Sequence, residues 1–269
     1  MSDDNTETPA VLVERRGHIM VVTLNRPDAR NAVNQAVWVG AGSALAEADH
    51  DVEIRAIVIT GAGDHSFCAG ADLKALSRGE TIAPLDPVQQ GWGFAGIVAH
   101  AVSKPLIAAV NGAALGGGTE ITLACDMAVA IESASFGLPE VKRGVLAGAG
   151  GAFRLVQQLP RKIAMEMLLT GEPIDAHRAL ALGLINAVTT RERLMDTALE
   201  LANRVAANAP LSVQASKRIA LGIAEGKVKA DEELWNSSRR ESMAIMRSED
   251  AREGPRAFAE KRAPIWKGR

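Results

Sequence analysis

Three times along the chain an apolar run of β character breaks at a glycine-rich turn and passes into a helical pattern. It does so from Ile54 to Leu73, over LIAAVNGAALGGGTEITLACD (106–126) and over MAVAIESASFGLPEVKRG (127–144). What recurs is a strand, a turn and a helix rather than residue identities, so the chain builds an α/β architecture by stacking one supersecondary unit. Strands read this way are buried on both faces of parallel sheets. Ahead of them, Val11–Glu14 and His18–Leu24 read as two strands around Arg15-Arg16-Gly17, after a frayed tail at residues 1–9. An amphipathic helix is expected from Asn31 to about Asp49, weakened by Gly40 and Gly42, and further strands at Ile54–Thr60 and Leu184–Val188. Beyond residue 192 only helical spacing remains, dividing the chain into a core at 1–192 and a helical region at 193–269. Residues 75–93, rich in Gly, Pro and polar side chains, are expected to form a loop that is either functional or partly disordered.

Composition narrows the function. A chain of 269 residues with 47% apolar side chains buries roughly three quarters of the surface its unfolded form exposes, without help from disulfides or a structural metal. Thirty basic and 32 acidic residues leave a formal charge of −2, so no overall field draws in nucleic acid or an anionic membrane. Four Trp, five Phe and no Tyr offer few stacking platforms for single strands. The isolated Cys68 and Cys125, an acidic N-terminus and no long apolar stretch point to a cytoplasmic protein without a secretion signal or membrane span.

Some motifs fail on their context. Gly91-Trp92-Gly93-Phe94-Ala95-Gly96 spells GxGxxG, but a polar DPVQQ precedes it where a dinucleotide fold needs a buried strand. LGGGT (115–119) lacks the Lys and Ser/Thr of a phosphate loop, and GxSxG is absent. The histidines His18, His50, His65, His100 and His177 never pair at helical spacing, so no metal site is expected.

Two segments place small residues where a strand hands over to a helix: FCAGADL (67–73) and NGAALGGGTE (111–120). Small residues admit a ligand to unpaired backbone N–H groups at the positive end of a helix, where an oxyanion is favoured. Glu120 lies in the first turn of the second helix, and Glu140 follows Pro139 at another apparent helix start. Each alone suits a helix first turn as a dipole partner. Brought together, the two carboxyls would make an acid and base pair.

LNRPDARNAV (24–33), FCAGADLK (67–74), KPLIAAVNGAALGGGTE (104–120), SFGLPEVKRGV (135–145) and AREGPRAFAEKRAP (251–264) together resemble the enoyl-CoA hydratase, or crotonase, family over nearly the whole chain. The resemblance implies a spiral of ββα units closed by a C-terminal helical region that builds homotrimers, often paired into hexamers. It implies an acyl-CoA thioester substrate whose carbonyl oxygen meets the amides of Ala71 and Gly117, an oxyanion hole, with Glu120 and Glu140 as catalytic residues. Glu120 would deprotonate the water attacking C3, and Glu140 would exchange the proton at C2. Coenzyme A, arriving as part of the substrate and not as a resident cofactor, would meet Arg30, Ala69, Asp72, Leu73, Lys74, Phe258 and Lys261, the last two from a neighbouring subunit in one arrangement.

Two departures bear on the acyl group. Leu138 stands where many short-chain hydratases resemble one another in carrying Gln, and Ala147 replaces a frequent Pro. Leu138 therefore implies a less polar acyl end, and Trp92 and Phe94 either line the acyl pocket or pack in the core. The expected reaction is reversible hydration of a trans-2-enoyl-CoA, as in β-oxidation. The alternatives are a carnitinyl-CoA-type dehydration, which an aromatic or acidic lining would favour, an isomerisation, and non-catalytic acyl-CoA or RNA binding on the same scaffold.

Overall fold

The computed structural model describes residues 8–269. Most of the tail expected at residues 1–9 thus lies outside the described residues. Strands β1 (Val11–Arg16) and β2 (Ile19–Leu24) form an antiparallel hairpin at Gly17, whose φ of +61° an L side chain rarely adopts. Then come α1 (Gln35–His50), β3 (Ala56–Gly61), β4 (Ser66–Cys68), α2 (Leu73–Ser77), α3 (Pro87–Gly91), β5 (Leu106–Val110), β6 (Ala113–Leu115) and α4 (Gly117–Ala124). They are followed by β7 (Met127–Ile131), β8 (Ser135–Gly137), a 3-10 turn at Pro139–Arg143, α5 (Gly151–Gln158), α6 (Arg161–Thr170), β9 (Ile174–Asp175), α7 (Ala176–Ala181) and β10 (Ala187–Thr189).

One sheet runs β1-β2-β3-β5-β7-β10, parallel from β2 onward, and a second runs β4-β6-β8-β9. Within the second, β4, β6 and β8 are parallel and β9 is antiparallel. Each repeat therefore places its long strand in the first sheet, turns, adds a short strand to the second, and delivers a helix or helical turn: β3-β4-α2, β5-β6-α4 and β7-β8 with the 3-10 turn. Val, Ile and Ala of β3 and β5 are buried throughout. With pleated neighbours on both sides, those residues have no polar face to present, hence the unbroken apolar runs.

The helical end comprises α8 (Leu194–Ala206), α9 (Pro210–Leu221), α10 (Glu232–Met246) and α11 (Asp250–Ala259). Helical spacing alone misses a small hairpin there, Ile223–Ala224 against Lys227–Val228, folded around Glu225 and Gly226, both at positive φ. The segment expected as a loop at 75–93 contains the short helix α3, capped by the Asp86 carboxylate on the amides of Val88 and Gln89. The helix expected from Asn31 begins at Gln35, because Arg30 and Asn31 take left-handed φ and the Asn34 side chain caps the Val37 amide. The last strand starts at Ala187 rather than Leu184. The amide of Leu184 is still bonded to the Ala179 carbonyl at the end of α7.

GxGxxG turns out to be a packing device. A Cβ on Gly96 would lie 2.2 Å from the Trp38 carbonyl and 2.6 Å from the Gly42 nitrogen, so the 3-10 turn at Phe94–Gly96 lies directly on the backbone of α1. Trp92 occupies the space a Cβ on Gly42 would need, 2.2 Å from its ring, and stacks on His100 at 4.9 Å. The glycine that weakens α1 as a helix thereby lets this segment dock, and Trp92 is committed to that contact.

Candidate active site

Two turns converge. Asn31 donates to the carbonyls of Ala62 and Ser66, and Asn111 donates to the Gly63 carbonyl while accepting the Gly61 amide. These buried amides fix the link between β3 and β4, so the chain enters Cys68-Ala69-Gly70-Ala71 in one conformation. Val33 bridges to Ala71, its amide meeting the Gly70 carbonyl at 2.8 Å. Gly70, at φ +90°, lies so close to the second turn that a Cβ on it would be 3.3 Å from the Gly117 nitrogen.

Each glycine of the second turn has its own necessity. Gly116 takes φ +56° and ψ −121°, and a Cβ there would lie 2.9 Å from Glu140 Oε1. A Cβ on Gly117 would meet the Phe94 ring at 2.3 Å, and one on Gly118 would meet the Cys68 carbonyl at 2.1 Å. Thr119 ties the turn to β8: its hydroxyl lies 2.7 Å from the Ala114 carbonyl and accepts the Gly137 amide at 2.9 Å. Gly117 opens α4, where the first amides have no partner within the helix.

Glu120, one turn on, is buried, and its Oε1 accepts the Gly151 amide at 2.9 Å. Burial pushes its carboxyl up to about 8, with repulsion from Glu140 adding. The amides of Gly151 and Ala149 and the charge of Arg154 offset part of that rise. Glu140 is pushed up to about 7 by burial, and its Oε2 is a buried oxygen without a hydrogen-bond partner. The structure thus brings the two glutamates together beside the glycine turns. Glu140 sits in a 3-10 turn ended by Gly144 at φ +66°, and not in the α-helix that Pro139 suggests.

Sequence reading misses the elements that hold this pair. Helix α5 presents the Gly151 amide from its first turn, and a Cβ on Gly151 would lie 3.0 Å from Glu120 and 3.0 Å from Leu138 Cδ1. Leu138, buried, therefore stands beside Glu120. Arg154 of α5 donates to the Val98 carbonyl at 2.6 Å and meets Asp231 at 3.3 Å, both side chains largely buried. The signal available was GAGG at 148–151, a small-residue run of the same kind as the two turns.

The remaining expected residues fall into two groups. Arg30, Ala69, Leu73 and Lys74 are exposed and lie along one continuous rim, where the Ala69 amide bonds to the Arg30 carbonyl at 3.1 Å. Asp72 is buried in that rim. Its carboxylate caps α2 on the amides of Lys74 and Ala75 and pairs with Arg26 at 2.8 Å, so its side chain is already engaged. Burial pushes the Asp72 carboxyl up, but the Ala75 amide, Arg26 and the Lys74 amide together bring it below the ordinary value. Phe258 and Lys261 are exposed at the end of α11, with the Phe258 ring 4.0 Å below the Arg143 guanidinium. Phe94 packs edge-to-face on Trp38 at 5.9 Å and borders Gly117, whereas Trp92 is held by Gly42 and His100. Among the described residues no cluster of His, Cys, Asp and Glu fit for a metal occurs, and no helix is long and apolar enough to cross a membrane.

The sequence profile of the enoyl-CoA hydratase/isomerase family matches residues 14–269. The carnitinyl-CoA dehydratase of Salmonella typhi is 44% identical over 257 residues, covering 95% of this chain and 97% of that relative. A solved structure of carnitinyl-CoA hydratase from Mycobacterium avium superposes with a TM-score of 0.95 at 58% identity, covering 98% of this chain and all of that one. Enoyl-CoA hydratase from Mycobacterium tuberculosis H37Rv superposes at 0.75 with 43% identity, over 97% of this chain and all of its own. Matched nearly from end to end in sequence and in fold, the chain belongs to the enoyl-CoA hydratase/isomerase, or crotonase, family.

Proposed function

We propose that this protein is a hydro-lyase acting on CoA thioesters, and that its substrate is a 3-hydroxyacyl-CoA of the carnitinyl type. Water leaves C2 and C3 to give the 2,3-enoyl thioester, and the reverse reaction adds it. The observation that carries the reading is the pair of a buried Glu120 and a half-buried Glu140 whose Oε2 is enclosed, both pushed up toward neutrality, beside turns that accept only glycine. Near pH 7 such a pair holds one proton between two carboxyls and so supplies an acid and a base at once.

In the hydration direction, the amides of Ala71 and Gly117 receive the charge that develops on the thioester oxygen. Loss of one such donor typically costs about 3 kcal/mol of barrier. In the reactive form the shared proton sits on Glu140, and Glu120, oriented by the Gly151 amide, takes a proton from the water that bonds to C3. Glu140, with its unpartnered oxygen, delivers the proton to C2. The rim of Arg30, Ala69, Leu73 and Lys74 receives the nucleotide of CoA, and oligomerisation into trimers or hexamers brings α11 with Phe258 and Lys261 to that end.

The choice of a quaternary-ammonium acyl group over a plain enoyl chain rests on the named relatives at 44% and 58% identity. The residues around the pair support it. Leu138 offers no polar group beside Glu120, and the Trp38–Phe94 pair puts aromatic surface at the amide turn, which suits a desolvated cation.

The test is loss of enone absorbance with 4-trimethylammonio-crotonyl-CoA, crotonyl-CoA and a longer trans-2-enoyl-CoA. The trimethylammonium substrate is expected to show the highest kcat/KM, and Glu120→Gln and Glu140→Gln should each lower it on the order of 10² to 10⁴-fold. A preference for crotonyl-CoA would return the assignment to plain enoyl-CoA hydration. Conversion of a 3-enoyl-CoA without hydration would replace it with isomerisation.

A further inference from the structure

Glu120 is buried at the centre of several elements, and each brings a group to it. From α4 and the 3-10 turn come Glu120 itself and Glu140; from β4 comes Cys68, a neutral thiol pushed up to about 12 by burial. From α5 and the residues just before it come the Gly151 and Ala149 amides and the charge of Arg154. Arg154 in turn faces Asp231 and Cys125 besides Glu120. Its charge opposes the rise that burial and Glu140 impose on Glu120.

The geometry around Arg154 is built. Nη1 donates to the Val98 carbonyl at 2.6 Å, Nη2 lies 3.3 Å from Asp231 Oδ2, and the guanidinium stands over the Trp235 and Phe153 rings at 5.3 and 5.6 Å. Asp231 is itself buried, at the start of α10. A buried ion pair is costly to form, and loss of one partner is strongly destabilising because it leaves the other charge uncompensated. Here it anchors the same helix whose first amide holds Glu120 Oε1.

We propose that Arg154 and Asp231 are positioning residues for the acid and base pair: the ion pair fixes α5 and its Gly151 amide against Glu120, and its two charges set the potential that the Glu120 carboxyl meets. The proposal rests on the reading of Glu120 as an acid/base group. It makes the helical end of the chain part of the active site's electrostatics, through Asp231.

Opposite charges give the test its sign. Arg154→Gln removes the cation and leaves Asp231, so Glu120 should hold its proton to higher pH. Asp231→Asn frees the full charge of Arg154, so Glu120 should lose its proton at lower pH. The shifts expected are on the order of half a pH unit or more in opposite directions. Arg154→Lys should restore most of the original behaviour. Two readouts are used: the pH profile of kcat/KM, and the carboxyl ¹³C NMR titration of glutamate-labelled protein, with Glu120→Gln assigning the signal. The NMR titration needs no turnover, so it tests the pair even where the proposed substrate fails. If both variants shift the titration in the same direction, or neither shifts it, the pair is structural only and the proposal falls. Should Arg154→Gln not fold, Asp231→Asn and Arg154→Lys still decide it, since a downward shift in the first with none in the second is required.

Discussion

Replacing Glu120 by Gln should stabilise the fold increasingly as pH rises. The folded-state carboxyl, pushed up to about 8 from an ordinary 4.5, binds its proton more tightly than the unfolded chain does. Between those two values the folded state holds the extra proton, so stability falls with rising pH. Below about pH 4.5 both states are protonated and the effect is absent. With about 1.4 kcal/mol per pH unit of difference, the penalty grows by about 4 kcal/mol between pH 5 and pH 9. Gln keeps the carbonyl oxygen that accepts the Gly151 amide at 2.9 Å, so the local hydrogen bond survives while the ionisation does not. The assay is urea unfolding of both proteins at pH 5, 7 and 9, at one fixed chain concentration because self-association would add to stability. The variant's advantage should widen by several kcal/mol across that range while its activity is lost. A difference that is flat with pH, or that narrows toward pH 9, would refute the reasoning that burial and Glu140 raise this carboxyl.

Gly116→Ala should cost about 1–3 kcal/mol of stability through its backbone conformation, and it should lower kcat/KM at least tenfold by driving a methyl into Glu140 Oε1; urea unfolding and turnover read the two effects separately. Asp72→Ala removes a helix cap and leaves Arg26 unpaired, with an expected loss of about 1–3 kcal/mol at neutral pH. Because the Asp72 carboxyl is held below its ordinary value, that loss should shrink as pH falls through the folded-state value, which acid unfolding of both proteins would reveal. Lys104, buried with its ammonium on the carbonyls of Ala48 and Asp51 at the C-terminal end of α1, should give up about 2 kcal/mol or more on change to Met. Thermal unfolding with α1 reported by Trp38 fluorescence would measure it.

The three repeats were legible because burial on both faces leaves β3, β5 and β7 almost wholly apolar, Thr60 excepted, and because the turns need glycine wherever a backbone approaches another. Less legible was anything whose partner lies far along the chain. Gly42 reads as a weak point in a helix until Trp92 and Gly96, some fifty residues on, are seen lying against it. Arg154 in an amphipathic helix looks like a solvated charge, since nothing local indicates that Asp231 will close over it. The convergence of Glu120 and Glu140 came from resemblance and not from spacing. Twenty residues separate them, and the fold joins them only by returning through β7 and β8. The side chain of Asp72 caps α2, a role that its place just before Leu73 already allows.

The last residues of the chain reach back to the turn that carries Glu140. Gly254 of α11 lies on the Arg143 backbone so closely that a Cβ would come within 2.0 Å of its carbonyl. The Glu253 carboxylate gathers Arg262, Arg256 and the Ile265 amide, and the Arg269 carbonyl accepts the Glu249 amide at 2.6 Å. A pull on residues 262–269 would therefore travel through α11 to the turn that carries Glu140. Whatever displaces α11 displaces the turn under Glu140 with it.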